Sequence, residues 1–128
     1  MNFKIGGSNV GKIMYGGQEF GNRKLEPGTI LYMSEKTEAG LKDVHLLSTT
    51  KNWNNLNGIN IMIYESNFST LYKSINISGD DFKNLDKAKI YDINMLSLTI
   101  TVSRPIVDGE YRLNISMLHL SKFIIKAI

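Results

Sequence analysis

His45 and His119 are the two imidazoles of this chain, and either could act as a general base or a metal ligand. A metal centre needs ligands that converge, and no His-x-x-x-His or comparable spacing links these two. Asp80-Asp81 offers paired carboxylates that could hold calcium or divide acid and base work. No Asp-x-Asp-x-Asp-Gly loop surrounds them, and adjacent aspartates after Gly79 are ordinary turn formers. Cysteine is absent, which removes disulfides and thiolate ligands together. Gly6-Gly7 and Gly16-Gly17 resemble phosphate loops only superficially, because no Gly-Lys-Ser/Thr follows either pair. No Gly-x-Ser-x-Gly nucleophile elbow occurs. The expectation is a protein that catalyses nothing and carries neither cofactor nor metal.

Binding chemistry has better material. Trp53 is the single tryptophan, flanked by Asn52, Asn54 and Asn55. An indole face beside side-chain amides could stack on a sugar ring and bond its hydroxyls. Tyr64 and Tyr72 could line the same groove, so Trp53, Tyr64 and Tyr72 are the candidate binding residues. The competing reading, preferred for Trp53, makes it the large residue that fills one end of the core, since buried aromatics dominate small cores. Asn67-Phe68-Ser69, Asn76-Ile77-Ser78 and Asn114-Ile115-Ser116 match the glycosylation sequon. Alternating Asn and Ser along strands produces such matches by chance, and wet strand faces account for them.

These residues must be positioned by strands. The chain has 128 residues, 42% hydrophobic and 21% charged, the composition of one ordinary globular domain. The opening Met1–Ile5 lacks the apolar core of a signal peptide, and no apolar run approaches a membrane span. Neither secretion nor membrane insertion is therefore expected. Net charge is +3, but the lysines are dispersed and only Arg23, Arg104 and Arg112 supply guanidinium groups. Nucleic-acid surfaces cluster such groups and interleave aromatics, so nucleic acid is not an expected partner.

Near the N-terminus Lys4–Gly11 recurs in register as Met14–Gly21: an apolar residue, Gly-Gly, two polar residues, an apolar residue and a glycine. Gly-Gly accepts the positive φ of a tight hairpin turn. Residues 1–26 are accordingly read as a short β-ribbon, too poor in large side chains to form a core alone. Its expected role is assembly.

Residues 27–128 read as a succession of strands. Thr29–Met33 and Val44–Leu47 are expected strands, with Ser34–Lys42 as the loop between them. Ser48–Gly58 reads as a long turn, and Ile59–Tyr64 and Leu71–Ser78 as strands. Gly79-Asp80-Asp81 reads as a turn, with one helical turn accommodated in Phe82–Lys89. Leu96–Ser103 alternates aliphatic and hydroxyl residues with period two, which places one face in a core and one in water. Asp108-Gly109 signals a hairpin leading to Tyr111–Met117, and Phe123–Ile128 closes the chain. About seven or eight strands without a sustained helical period predict an all-β, antiparallel β-sandwich, jelly-roll-like in organisation.

The order of these segments resembles a known family. Gly11–Phe20 is similar to short β-repeats that open tail and baseplate proteins of phages infecting Gram-positive bacteria. Gly28–Ser34, Leu47-Ser48 with Trp53, Ile59–Tyr64 and Phe123–Ile128 resemble the β-sandwich module of phage fibres and receptor-binding proteins. In that module the position of Trp53 is a core aromatic. The resemblance implies a bacteriophage virion structural or adhesion protein of the tail, baseplate or head surface. It implies no cofactor and no catalytic set. Its partners would be other virion proteins, further copies of itself as a trimer or higher homo-oligomer, and a host cell-wall glycan. The virion would be its location, after synthesis in the host cytoplasm. A free-standing carbohydrate-binding domain is the alternative.

Overall fold

The computed structural model describes residues 24–93 and 98–128. The Gly-Gly repeat and two positions of the alternating segment, Leu96 and Ser97, lie outside them. The described chain is all-β apart from one short helix, and its strands pair antiparallel throughout in a nearly closed sheet.

In chain order the elements are β1 (Ile30–Met33), β2 (Glu38–Val44), β3 (Gly58–Tyr64), β4 (Leu71–Ser78) and α1 (Gly79–Lys83). They continue with β5 (Lys89–Ile93), β6 (Leu98–Ser103), β7 (Ile106–Val107), β8 (Glu110–Tyr111) and β9 (Leu113–Ala127). The main sheet runs β4-β3-β9-β6-β5, with β1 and β2 also paired to β9. β7 and β8 form a separate hairpin whose turn, Asp108-Gly109, has positive φ at both residues (53° and 78°). That is the geometry the Asp-Gly pair favours.

β9 organises everything else. Its first part, Leu113 to Ser116, pairs with β2 on one side and β6 on the other. Its last part, Lys122 to Ala127, pairs with β3 along its length, and Ile124 to Lys126 also pair with β1. Opposed residues of an antiparallel pair share a face, so the pairing builds continuous apolar rows. Ile75, Ile61 and Ile125 form one row, and Leu41, Ile115 and Val102 another. All six are buried. On the other face of the β3–β4 hairpin, Asn60 donates to Asn76 Oδ1 at 2.7 Å and to Ser74 Oγ at 2.9 Å. This polar ladder accounts for Asn76 and its sequon. The expected alternation also holds in β6, where Ile100 and Val102 are fully buried and Thr99 is exposed.

Three elements differ from the sequence reading. The segments expected as separate strands, Tyr111–Met117 and Phe123–Ile128, belong largely to one 15-residue strand. One phase runs through both: Leu113, Ile115, Met117, Ser121, Phe123, Ile125 and Ala127 are buried, with His119 half-buried between them and Ile124 the one buried residue of the opposite phase. It was hidden because the inward Ser121 is polar while the outward Leu118 and Leu120 are apolar. Second, the expected loop Ser34–Lys42 contains most of β2, whereas His45–Leu47 lie outside any strand. Gly40, inside that expected loop, sits opposite Ser116 with φ +110°. A glycine inside a strand marks close backbone approach as readily as a turn. Third, Gly79-Asp80-Asp81 is the first turn of α1 and not a separate turn. Both aspartates there complement the positive end of the helix, while Phe82 buries its ring.

Candidate functional site

The described part of the N-terminal segment leads directly to one end of the sheet. Leu25 N–H donates to Asn55 O at 2.8 Å, and Lys24 Nζ donates to Asn54 O at 2.7 Å. The loop that receives them is tied internally. Thr50 Oγ1 donates to Asn54 Oδ1, and Asn55 Nδ2 donates to Ser48 O. At its centre Trp53 adopts φ +57°, a conformation that costs a bulky L-residue roughly 1–2 kcal/mol. The ring recovers that cost by burial, being only 3% exposed.

The Trp53 indole stacks on Phe82 at 5.9 Å and meets Tyr111 edge-on at 5.8 Å. Arg104 lies over the Tyr111 ring at 3.9 Å. Trp53, Phe82, Lys83, Arg104 and Tyr111 together line a cleft of about 330 Å³, with Lys24 at its edge. The expectation that Trp53 fills one end of the core agrees with this burial. An indole face open for sugar stacking does not.

Tyr64 and Tyr72 are elsewhere. They lie at the far end of the β3–β4 hairpin, about 20 Å from Gly58 at strand rise, so the three candidates line no common groove. Tyr64 meets Phe68 edge-on at 5.3 Å, and the Lys122 ammonium lies 5.1 Å from the Phe68 ring. Tyr72 donates to Glu65 Oε2 at 3.3 Å and packs against His119 at 5.7 Å.

The other chemically suggestive residues also find separate partners. His45 Nδ1 stands 3.6 Å from Glu110, which also pairs with Arg112 at 3.6 Å. Asp81 pairs with Lys89 at 3.5 Å. Among the described residues no three His, Asp or Glu side chains gather as a metal site would require, and no helix is long and apolar enough to cross a membrane.

Three phenols are held above their ordinary pKa. Burial raises Tyr32, reinforced by its hydrogen bond to Glu38. Desolvation followed by the Glu65 charge raises Tyr72, and desolvation followed by Asp81 raises Tyr91. The folded state therefore keeps these protons after the unfolded chain has begun to lose them near pH 10. Their stabilisation is complete below that pH and is lost as pH climbs through the raised folded values. Denaturant midpoints should fall from about pH 10 upward while tyrosinate absorbance of the folded protein lags free tyrosine. Superimposable titrations of folded and unfolded chains would refute the assignment.

Arg104, Phe82, Lys83 and Tyr111 were not singled out from the sequence. They come from β6, α1 and β8 or the turns beside them, and no motif spacing connects them to Trp53. One weak signal existed, Arg104-Pro105 at the end of the most regular strand. No family model, curated protein or solved structure matches the chain.

Proposed function

We propose that this chain is a non-enzymatic structural and adhesion module of the bacteriophage-virion type, part of a tail, baseplate or head surface. The two halves of the sheet, joined by β9, are read as a jelly-roll-like sandwich that serves as a rigid display frame. The observation that carries the proposal lies on β9 where it passes from one half to the other. Between Ser116 and Ser121 its register with β2 shifts. Leu118 there is 91% exposed and Leu120 58%, while Met117 and Ser121 beside them are buried. Large aliphatics fixed outward on a core strand mark a protein contact surface. Phe68 and Leu71 are also exposed, beside the Tyr64–Tyr72 end of the sheet.

In this proposal the partners are further copies of the chain and other virion proteins. A host glycan would be engaged through the avidity of repeated weak sites. The Gly-Gly repeat of residues 1–26 serves as a second assembly element. Native mass measurement of the full chain should give a trimer or larger. The double substitution L118E/L120E, and separately removal of residues 1–24, should lower that mass without altering the β-type circular dichroism. A monomer at every concentration would defeat the proposal.

A further inference from the structure

We infer that the cleft beside Trp53 binds a small oxyanion, a phosphate ester or a carboxylate. Charge is the first support. Lys24, Lys83 and Arg104 border the cleft, and among the described residues no acidic side chain lines it. The contrast with Arg112 is direct. Arg112 is ion-paired to Glu110 and reaches Asp43 O at 3.5 Å. Arg104 has no carboxylate partner among the described residues and packs on the Tyr111 ring instead. Its Nε is buried without a protein acceptor among those residues, as is that of Arg112, so the missing carboxylate is what sets Arg104 apart. A partly buried guanidinium held against a ring presents a fork of donors suited to two oxygens of one anion.

The indole of Trp53 is the second, independent support. Indole Nε1–H can only donate, and here it is buried in a 3%-exposed side chain with no acceptor among the described residues. A buried donor left unsatisfied is unfavourable. An oxyanion entering the cleft balances the cationic rim, and a small shift of the indole that opens Nε1–H to the cleft would give that donor its acceptor.

Size and shape narrow the ligand class. About 330 Å³ is at the lower limit of small-molecule sites. Phe82 is stacked on the Trp53 ring and Arg104 covers a face of Tyr111, which leaves little aromatic surface for a base or sugar ring. The exposed Asn52 and Asn57 at the rim can bond hydroxyl or ester oxygens of a short polar group. This inference stands apart from the proposed virion role and is tested without reference to assembly.

Trp53 is the chain's only tryptophan, so its indole N–H gives a single reporter resonance in a proton–nitrogen correlation spectrum. The full-length protein is titrated with glycerol phosphate, acetate, glycerol, and sodium chloride at matched ionic strength. Saturable movement of the indole resonance with glycerol phosphate or acetate, and none with glycerol or chloride, is the expected result. The two anions separate a phosphate site from a carboxylate site. R104Q should weaken binding about tenfold or more, as loss of a charge-assisted bond implies. K83Q removes an exposed charge at the end of α1, and should weaken binding in the same direction. Movement that merely follows ionic strength, no saturable movement with either anion, or unchanged affinity in both variants would overturn the inference.

Discussion

Gly40→Ala is expected to lower folding stability by roughly 3–5 kcal/mol, among the largest effects a single methyl group can have here. Two causes add. Gly40 has φ +110°, where an L-residue is strained by about 1–3 kcal/mol. A Cβ at this site would also press into the backbone oxygen of Ile115, which belongs to the central strand and cannot swing aside as a flexible side chain could. Relief requires β2 to part from β9 and expose Leu41, which is otherwise buried. Gly28→Ala provides the comparison. Gly28 has a similar φ of +92° but open space where its Cβ would go, so that variant reports the conformational cost alone. Denaturant unfolding of both measures the difference. Equal losses would mean that β2 does not approach β9 as closely as described.

Phe123→Ala is expected to cost about 3–5 kcal/mol, the range for a large aromatic removed from a close-packed interior. Phe123 is fully buried, and β9 pairs it with Ile63 of β3. Its backbone engages Ser34 twice: Phe123 N–H donates to Ser34 Oγ, and Phe123 O accepts from Ser34 N–H, each at 2.9 Å. Alanine keeps both bonds, so the loss reports packing and not the attachment of β1. The urea midpoint should fall with the slope of the transition unchanged. A loss below about 1 kcal/mol would remove Phe123 from the core.

Strands whose two faces differ in polarity were legible from their residues alone. Ile59, Ile61 and Ile63 are inward and paired as the alternation requires, with Asn60 on the wet face. The same holds for Ile100 and Val102, and for the Asp108-Gly109 turn, whose backbone preference is local. Burial of Trp53 was readable too, because a lone large aromatic between short strands has few other places to go.

Where local signals conflict with packing, the folded sheet sets the outcome. Gly40 reads as a turn until the backbone of Ile115 is beside it. Leu118, Leu120 and Ser121 invert the expected pattern, so one long strand reads as two. The Trp53 cleft is the clearest case. Its residues are far apart in the chain, and only the pairing of β9 with both halves of the sheet, together with the packing of α1 and the β7–β8 hairpin, brings Lys83, Arg104 and Tyr111 beside Trp53. Spacing in a sequence reports neighbours along one element, whereas a site assembled from several turns depends on distances that only the folded sheet sets.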